Sequence, residues 1–198
     1  MVTRAKQPLG REQVMAAIVQ VATRLIAEKG SRKVSLREIA AEAGVNYGLV
    51  HRHFGTRVEL LRAVFDEAGR SGVAEVAPHH DLPAAIDAVF RQQHENGISR
   101  VIAWALLDGL DMQQVHRRYA TMWRLVDIAK QQSAARTADQ PSEQSVEWTS
   151  EQTRDPDFDV HIRVGTLAAA MLGWHVFRSF ILAGLQLDDE PAVQEAIV

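Results

Sequence analysis

VSLREIAAEAGVNYGLVHRHFGTRVELL, residues Val34 to Leu61, is the stretch whose reading decides the fold. Apolar or small residues at Ile39, Ala40, Ala43, Val45, Val50 and Phe54 flank one glycine, Gly44, which separates two short helical patterns. The spacing predicts a helix over 35–43 and a second over 46–54. Ser35 and Asn46 each precede a helical run, where a short polar side chain offers an acceptor to the orphan amides of the first turn. Gly44 falls where two crossing helices leave no room for a side chain and the turn calls for positive φ. This is the pattern of a helix-turn-helix.

Working outward, Val14, Ala17, Ile18, Val21, Ala22, Leu25 and Ile26 form the i, i+3, i+4, i+7 stripe of an amphipathic helix over Arg11 to Lys29, ended by Gly30. On the other side, Leu60, Leu61, Val64 and Phe65 carry a helix from Val58 to about Val73, with Gly69, Gly72 and Pro78 marking a fraying end. Residues 1–10 read as an arm in which Arg4 and Lys6 are available to phosphate or the minor groove.

The run LREIAAEAGV at 36–45, Phe54, GTRVELL at 55–61 and AEKG at 27–30 together resemble the DNA-binding end of a TetR-family transcriptional regulator, over roughly the first third of the chain. The resemblance implies an all-α fold with a three-helix head and a helical-bundle body, divided as residues 1–57 for DNA binding and 58–198 for effector binding and dimerisation. It also implies that Tyr47, Gly48 and Leu49 read base edges near the start of the second helix. Arg37, at the front of the first, can present its fork of donors to a guanine. His51, Arg52, His53, Arg57 and the Ser35 hydroxyl are expected to grip the backbone, with Asn46 beside them. The family commonly has tyrosine in place of His51, lysine in place of Arg57 and a small polar or cationic residue in place of Tyr47. A histidine donates to phosphate more strongly when protonated, so binding is expected to rise as pH falls toward 6. Tyr47 either meets sugar or a thymine methyl or packs under the turn.

Charge is divided along the chain in the same sense. Residues 1–62 carry 11 Lys and Arg against 5 Asp and Glu, net +6, and the remainder carries 11 against 20, net −9, within a total of −3. A basic head suits phosphate, and an acidic body is repelled by it.

Beyond the head, the periodicity predicts helices over Pro83 to Glu95, Ile98 to Leu110 and Val115 to Lys130, with Asp81 or Pro83 opening the first. His79, His80 and Asp81 are adjacent and lack metal-ligand spacing, so they read as a solvated loop. Phe90, Trp104, Met122 and Trp123 are bulky enough to line an apolar effector pocket or simply to fill a core. Residues 131–159 are polar and read as a segment that cannot bury enough surface to order itself, with Trp148 as its odd member.

Phe158 to Leu185 is the most hydrophobic segment. Val160, Val164, Leu167, Met171 and Trp174 make one stripe, and Ala169, Gly173, Val176 and Phe180 another nearly opposite. A helix apolar on two faces needs two packing partners. The expectation is a homodimer through this helix, 158–185, and a short final helix over 189–198, with Gly165, Ala168, Ala169, Gly173 and Ala183 permitting close approach. Met171, Trp174 and His175 complete the expected pocket. Arg178, His94 and His116 are candidates for a polar or anionic head on the effector.

His175 and Arg178 interrupt the apolar run at 167–185, which argues against a membrane span, and MVTRAKQPLG has no apolar stretch of signal-peptide length. The absence of cysteine excludes disulfides and thiolate chemistry and fits the cytoplasm. No nucleophile motif, phosphate loop or metal spacing supports an enzyme, so that reading is disfavoured. The sequence thus points to a cytoplasmic transcriptional repressor that binds a palindromic operator in double-stranded DNA and is released by a small-molecule effector, with no cofactor. The rival reading is an effector-independent, architectural DNA-binding protein.

Overall fold

The computed structural model describes residues 10–111, 120–139 and 156–184. All regular elements among them are helical, so the fold is all-α as expected: α1 Arg11–Lys29, a 3-10 turn Ser31–Lys33, α2 Leu36–Glu42, α3 Tyr47–Phe54, α4 Arg57–Val76, α5 Leu82–Asn96, α6 Ile98–Leu107, α7 Ala120–Asp139 and α8 Pro156–Gly184. The N-terminal arm with Arg4 and Lys6, His116, Trp148 and the final helix over 189–198 lie outside the described residues.

Contacts divide the chain into two compact units, Met1–Ala68 with Asn96–Arg117, and Gly69–Glu95 with Arg118–Val198. The division differs from a cut after residue 57, since it assigns the first part of α4 and all of α6 to the helix-turn-helix unit. The core of that unit is continuous. Val14, Ile18, Ala22, Leu25 and Ile26 of α1 meet Ile39 and Ala40 of α2, Val50 and Phe54 of α3, Leu60, Leu61, Val64 and Phe65 of α4, and Ile98, Val101 and Ala105 of α6. α6 lies along α1, and two glycines permit the approach. A Cβ on Gly30 (φ 89°) would stand 3.2 Å from the Trp104 ring, and one on Gly97 (φ 69°) 3.1 Å from the Ala27 methyl.

The second unit buries Val76, Leu82, Ala85 and Val89 with Leu125, Val126, Ile128 and Ala129 of α7 and Val160, Val164 and Met171 of α8. Asp81 opens α5, its Oδ1 accepting from the Ala84 amide at 3.0 Å. The structure corrects two expectations here. Gly69 and Gly72 do not mark a fraying end, because α4 continues through both to Val76; the bare backbone at Gly72 makes room for Thr121, whose hydroxyl donates to the Gly69 carbonyl. The polar segment after Gln131 is helical as far as Asp139. Its first residues, QQSAARTAD, include three alanines, and helix propensity there does not require an apolar face.

α8 has the two faces read from its sequence. Val160, Val164 and Met171 are buried and Leu167 packs against them, while Phe158, Ile162, Val176, Phe177 and Phe180 are exposed, Phe180 by 80%. By length and mean hydropathy alone, 1.4 over one window, Phe158–Gly184 would also satisfy a membrane-span criterion. The burial of one stripe against α7 is what a packed protein helix requires.

Candidate nucleic-acid interface

α2 and α3 are short, so their ends dominate their stability. The Ser35 hydroxyl oxygen accepts from the Glu38 amide at 3.1 Å, and Asn46 Oδ1 accepts from the Gly48 amide at 2.7 Å. Between them, the Gly44 amide donates to the Ala41 carbonyl and the Val45 amide to the Ala40 carbonyl, with Gly44 at φ 65°. This pair of bonds is the Schellman closure, which requires a left-handed residue after the helix and so fixes where α3 begins. α1 is tied to α2 by two ion pairs, Arg24 with Glu42 at 2.6 Å and Lys29 with Glu38 at 2.7 Å. The hydrogen bond from Lys29 holds the Glu38 carboxyl below its ordinary range. All four groups are largely solvated, so these pairs orient the helices more than they stabilise them.

Held in this way, α3 buries Val50 and Phe54 and half-buries Leu49, all against the first core. Its other face exposes Asn46, Tyr47, Gly48, His51 and Arg52, beside exposed Ser35 and Arg37 of α2. Tyr47 stands out from the surface at 41% exposure instead of packing under the turn. Arg37 Cζ lies 5.6 Å from the centre of the Tyr47 ring, within cation–π range, and the His51 ring is 6.4 Å from it on the next turn. The caps leave donors to spare. A hydroxyl that accepts one bond still donates its proton, and an amide capping through oxygen keeps both N–H groups.

His53 and Arg57 differ from this group in being half-buried. Arg57 Nη1 donates to the Val34 carbonyl at 2.9 Å, and its buried Nη2 has no hydrogen-bond partner among the described residues. Burial lowers its pKa, partly offset by the charge of Asp108. Two groups that shape this unit were not singled out from the sequence. Thr56 accepts from the Glu59 amide and caps α4, as the T-x-x-E spacing at 56–59 signals. Asp108, which pairs with Ser31 and Arg32 across more than 75 residues of chain, leaves no local signal.

The expected pocket residues separate. Phe90 and Met122 pack against the second core, Met171 and His175 are buried and Trp174 is half-buried. The His175 ring lies 4.6 Å from that of Phe90 and 5.8 Å from that of His94. Trp104 belongs to the first unit, with its indole over Gly30. Trp123 is 55% exposed and meets His161 edge-on at 5.6 Å.

A basic, helical unit with a glycine-closed turn and a solvent-facing second helix defines a helix-turn-helix DNA-binding protein. Comparison with known proteins places it more closely. The family model for "Bacterial regulatory proteins, tetR family" matches residues 18–64. The HTH-type transcriptional repressor Rv3405c of Mycobacterium tuberculosis is 34% identical over 186 residues, 94% of this chain and 85% of that protein. The chain belongs to the tetR family of bacterial transcriptional regulators. Solved structures share the fold. A mutant of HlyIIR aligns over 94% of this chain and 96% of its own with a TM-score of 0.59 and 18% identity. A gamma-butyrolactone receptor described as ArpA-like aligns over 86% and 82%, with a TM-score of 0.56 and 23% identity.

Proposed function

We propose that this regulator is a cytoplasmic repressor that binds an inverted-repeat operator as a homodimer and is released from it by a small molecule. The observation that carries the proposal is the exposed cluster of Arg37, Tyr47, Gly48, His51 and Arg52 over two side-chain-capped helices. In this reading Arg37, Tyr47, Gly48 and Leu49 meet base edges. Ser35, Asn46, His51, Arg52, His53 and Arg57 hold or frame the phosphates. Residues 1–57 carry recognition, and 58–198 carry dimerisation and the response to effector.

Two copies of α3 in one dimer would enter major grooves about 34–36 Å apart. The dimer contact is the exposed stripe of α8. Phe90, Met122, Met171, Trp174 and His175 are the mostly apolar side chains that would line the effector site in this reading, and the gamma-butyrolactone receptor is a precedent for a small-molecule signal on this fold. An effector that prefers the released state by about 1–3 kcal/mol loosens DNA roughly five- to 150-fold.

Selection of binding sites from a random duplex pool at near-physiological salt, with the full-length chain, tests the reading. Enrichment of an inverted repeat is the expected result. Salt-sensitive binding without enrichment would overturn it in favour of an architectural, effector-independent role.

A further inference from the structure

We propose that Asp108, at the C-terminal end of α6, is a positioning residue for DNA binding, fixing through Ser31 and Arg32 the segment 31–35 on which α2 is capped. The inference rests on the reading of the α2–α3 face as the DNA surface.

The segment from Ser31 to Ser35 has little order of its own. It contains a single 3-10 turn of three residues between two helices, so side-chain bonds must hold it. Asp108 supplies three. One carboxylate oxygen accepts from the hydroxyl of Ser31, which is 4% exposed. The other lies 3.1 Å from Arg32 Nε, and the Asp108 carbonyl accepts from Arg32 Nη2 at 2.8 Å. That carbonyl is among the last of α6 and has no partner within the helix, so an arginine there satisfies an orphan acceptor at the negative end of the helix dipole. The end of α6 is itself fixed, since Gly109 at φ 75° and Leu110 return their amides to Leu106 and Ala105.

From the other side, Arg57 donates to the Val34 carbonyl. Segment 31–35 is therefore pinned between the start of α4 and the end of α6, and the residue that leaves it is Ser35, the cap of α2. Displacement of the segment would shift Ser35 and Arg37 together, away from the phosphate and base edge proposed for them.

Simple electrostatics predicts the opposite sign for this residue. Asp108 is an anion in a head that must approach phosphates, so removing its charge should tighten binding to any DNA. A positioning role requires that removal weaken binding. The test compares the parent chain with Asp108→Asn, which keeps the shape, and Arg32→Lys, which keeps the charge at an exposed side chain but cannot span both acceptors. Each is titrated against the operator selected from the random pool and against an unrelated duplex, with thermal unfolding followed by circular dichroism.

The expected result is operator binding about tenfold weaker for Asp108→Asn and several-fold weaker for Arg32→Lys, measured where both are fully folded. Binding to the unrelated duplex should change less. Operator binding by Asp108→Asn as tight as the parent's or tighter overturns the inference. If Asp108→Asn does not fold, an unchanged affinity for Arg32→Lys overturns it. A parent chain that selects no operator would overturn the reading beneath it, an outcome distinct from both.

Discussion

Asn46 carries two requirements that separate under substitution. Its Oδ1 caps α3 by accepting from the Gly48 amide, and it stands exposed on the surface proposed for DNA. Asn46→Ala removes the cap and should cost about 1 kcal/mol of stability. Asn46→Asp keeps an equally good acceptor, and its charge suits the positive end of the helix, so stability should stay within about 0.5 kcal/mol of the parent. On the proposed reading that charge would face phosphate, and both variants lose the side-chain N–H donors that Asn46 offers there, so DNA binding should fall for both while urea unfolding changes for only one. Equal losses of stability would mean that Asn46 is not acting as a cap. Gly48 is constrained alongside it, since a Cβ there would lie 3.2 Å from the capping oxygen. Tyr47 offers a complementary test of base reading. Tyr47→Phe retains the ring beneath Arg37, whereas Tyr47→Leu removes the ring face. Only the second should broaden the set of selected sites, and identical site preferences for all three proteins would refute a reading role for the ring.

Glycine substitutions distinguish the packing of the helices because the same added methyl group meets different surroundings. In α8, a Cβ on Gly165 would enter open space, so Gly165→Ala should stabilise the isolated chain by about 0.5–1 kcal/mol through helix propensity. In α4, a Cβ on Gly72 would collide with Thr121, so Gly72→Ala should destabilise despite the same propensity gain. Thermal unfolding of the two variants, followed on protein dilute enough to be monomeric, should shift in opposite directions; an upward shift for Gly72→Ala would mean that α7 does not pack on α4 as described. The Gly72 contact also marks a boundary of what the sequence discloses. The 34–61 stretch was readable because each part of its structure is local: Ser35 and Asn46 cap within three residues, Gly44 closes α2, and Val50 and Phe54 mark a buried face. The continuation of α4 through Gly69 and Gly72 was not, because its reason is Thr121, about 50 residues away. Trp104 shows the same limit at the site. Its bulk and its place beside an apolar stripe suggested a ligand pocket, but whether it faces α5, α7 or α1 depends on the packing of α6, and its partner is Gly30.

At the scale of the whole molecule, an exposed stripe on α8 remains to be accounted for. Phe158, Ile162, Gly165, Ala169, Gly173, Val176 and Phe180 recur every three or four residues on one side, with bulky residues toward the ends and small ones between. Such a profile allows two helix backbones to approach at the middle while aromatic side chains pack at either end. Four large apolar side chains left in water on one face are also more than scattered surface exposure explains. The proposed dimer buries them, and each Phe so buried contributes about 1.5–3 kcal/mol. Phe180→Asp places a charge in that contact twice, once per subunit, because a two-fold interface repeats every substitution. The parent chain at micromolar concentration should therefore scatter light as twice 22.0 kDa and the variant as 22.0 kDa. The monomer should keep its helical content, since Phe180 is 80% exposed within one chain. Its affinity for a full inverted repeat should fall to that for a half-site, because the second α3 no longer binds at the high effective concentration set by the first. Gly165→Ala gives the interface a second, gentler test: the methyl that stabilises one chain would obstruct the approach of two, raising the unfolding temperature of dilute protein while weakening dimerisation. A parent mass of 22.0 kDa would overturn the homodimer itself, whereas a Phe180→Asp variant that remains dimeric would remove this stripe from the interface and require the two recognition helices to be coupled by another surface.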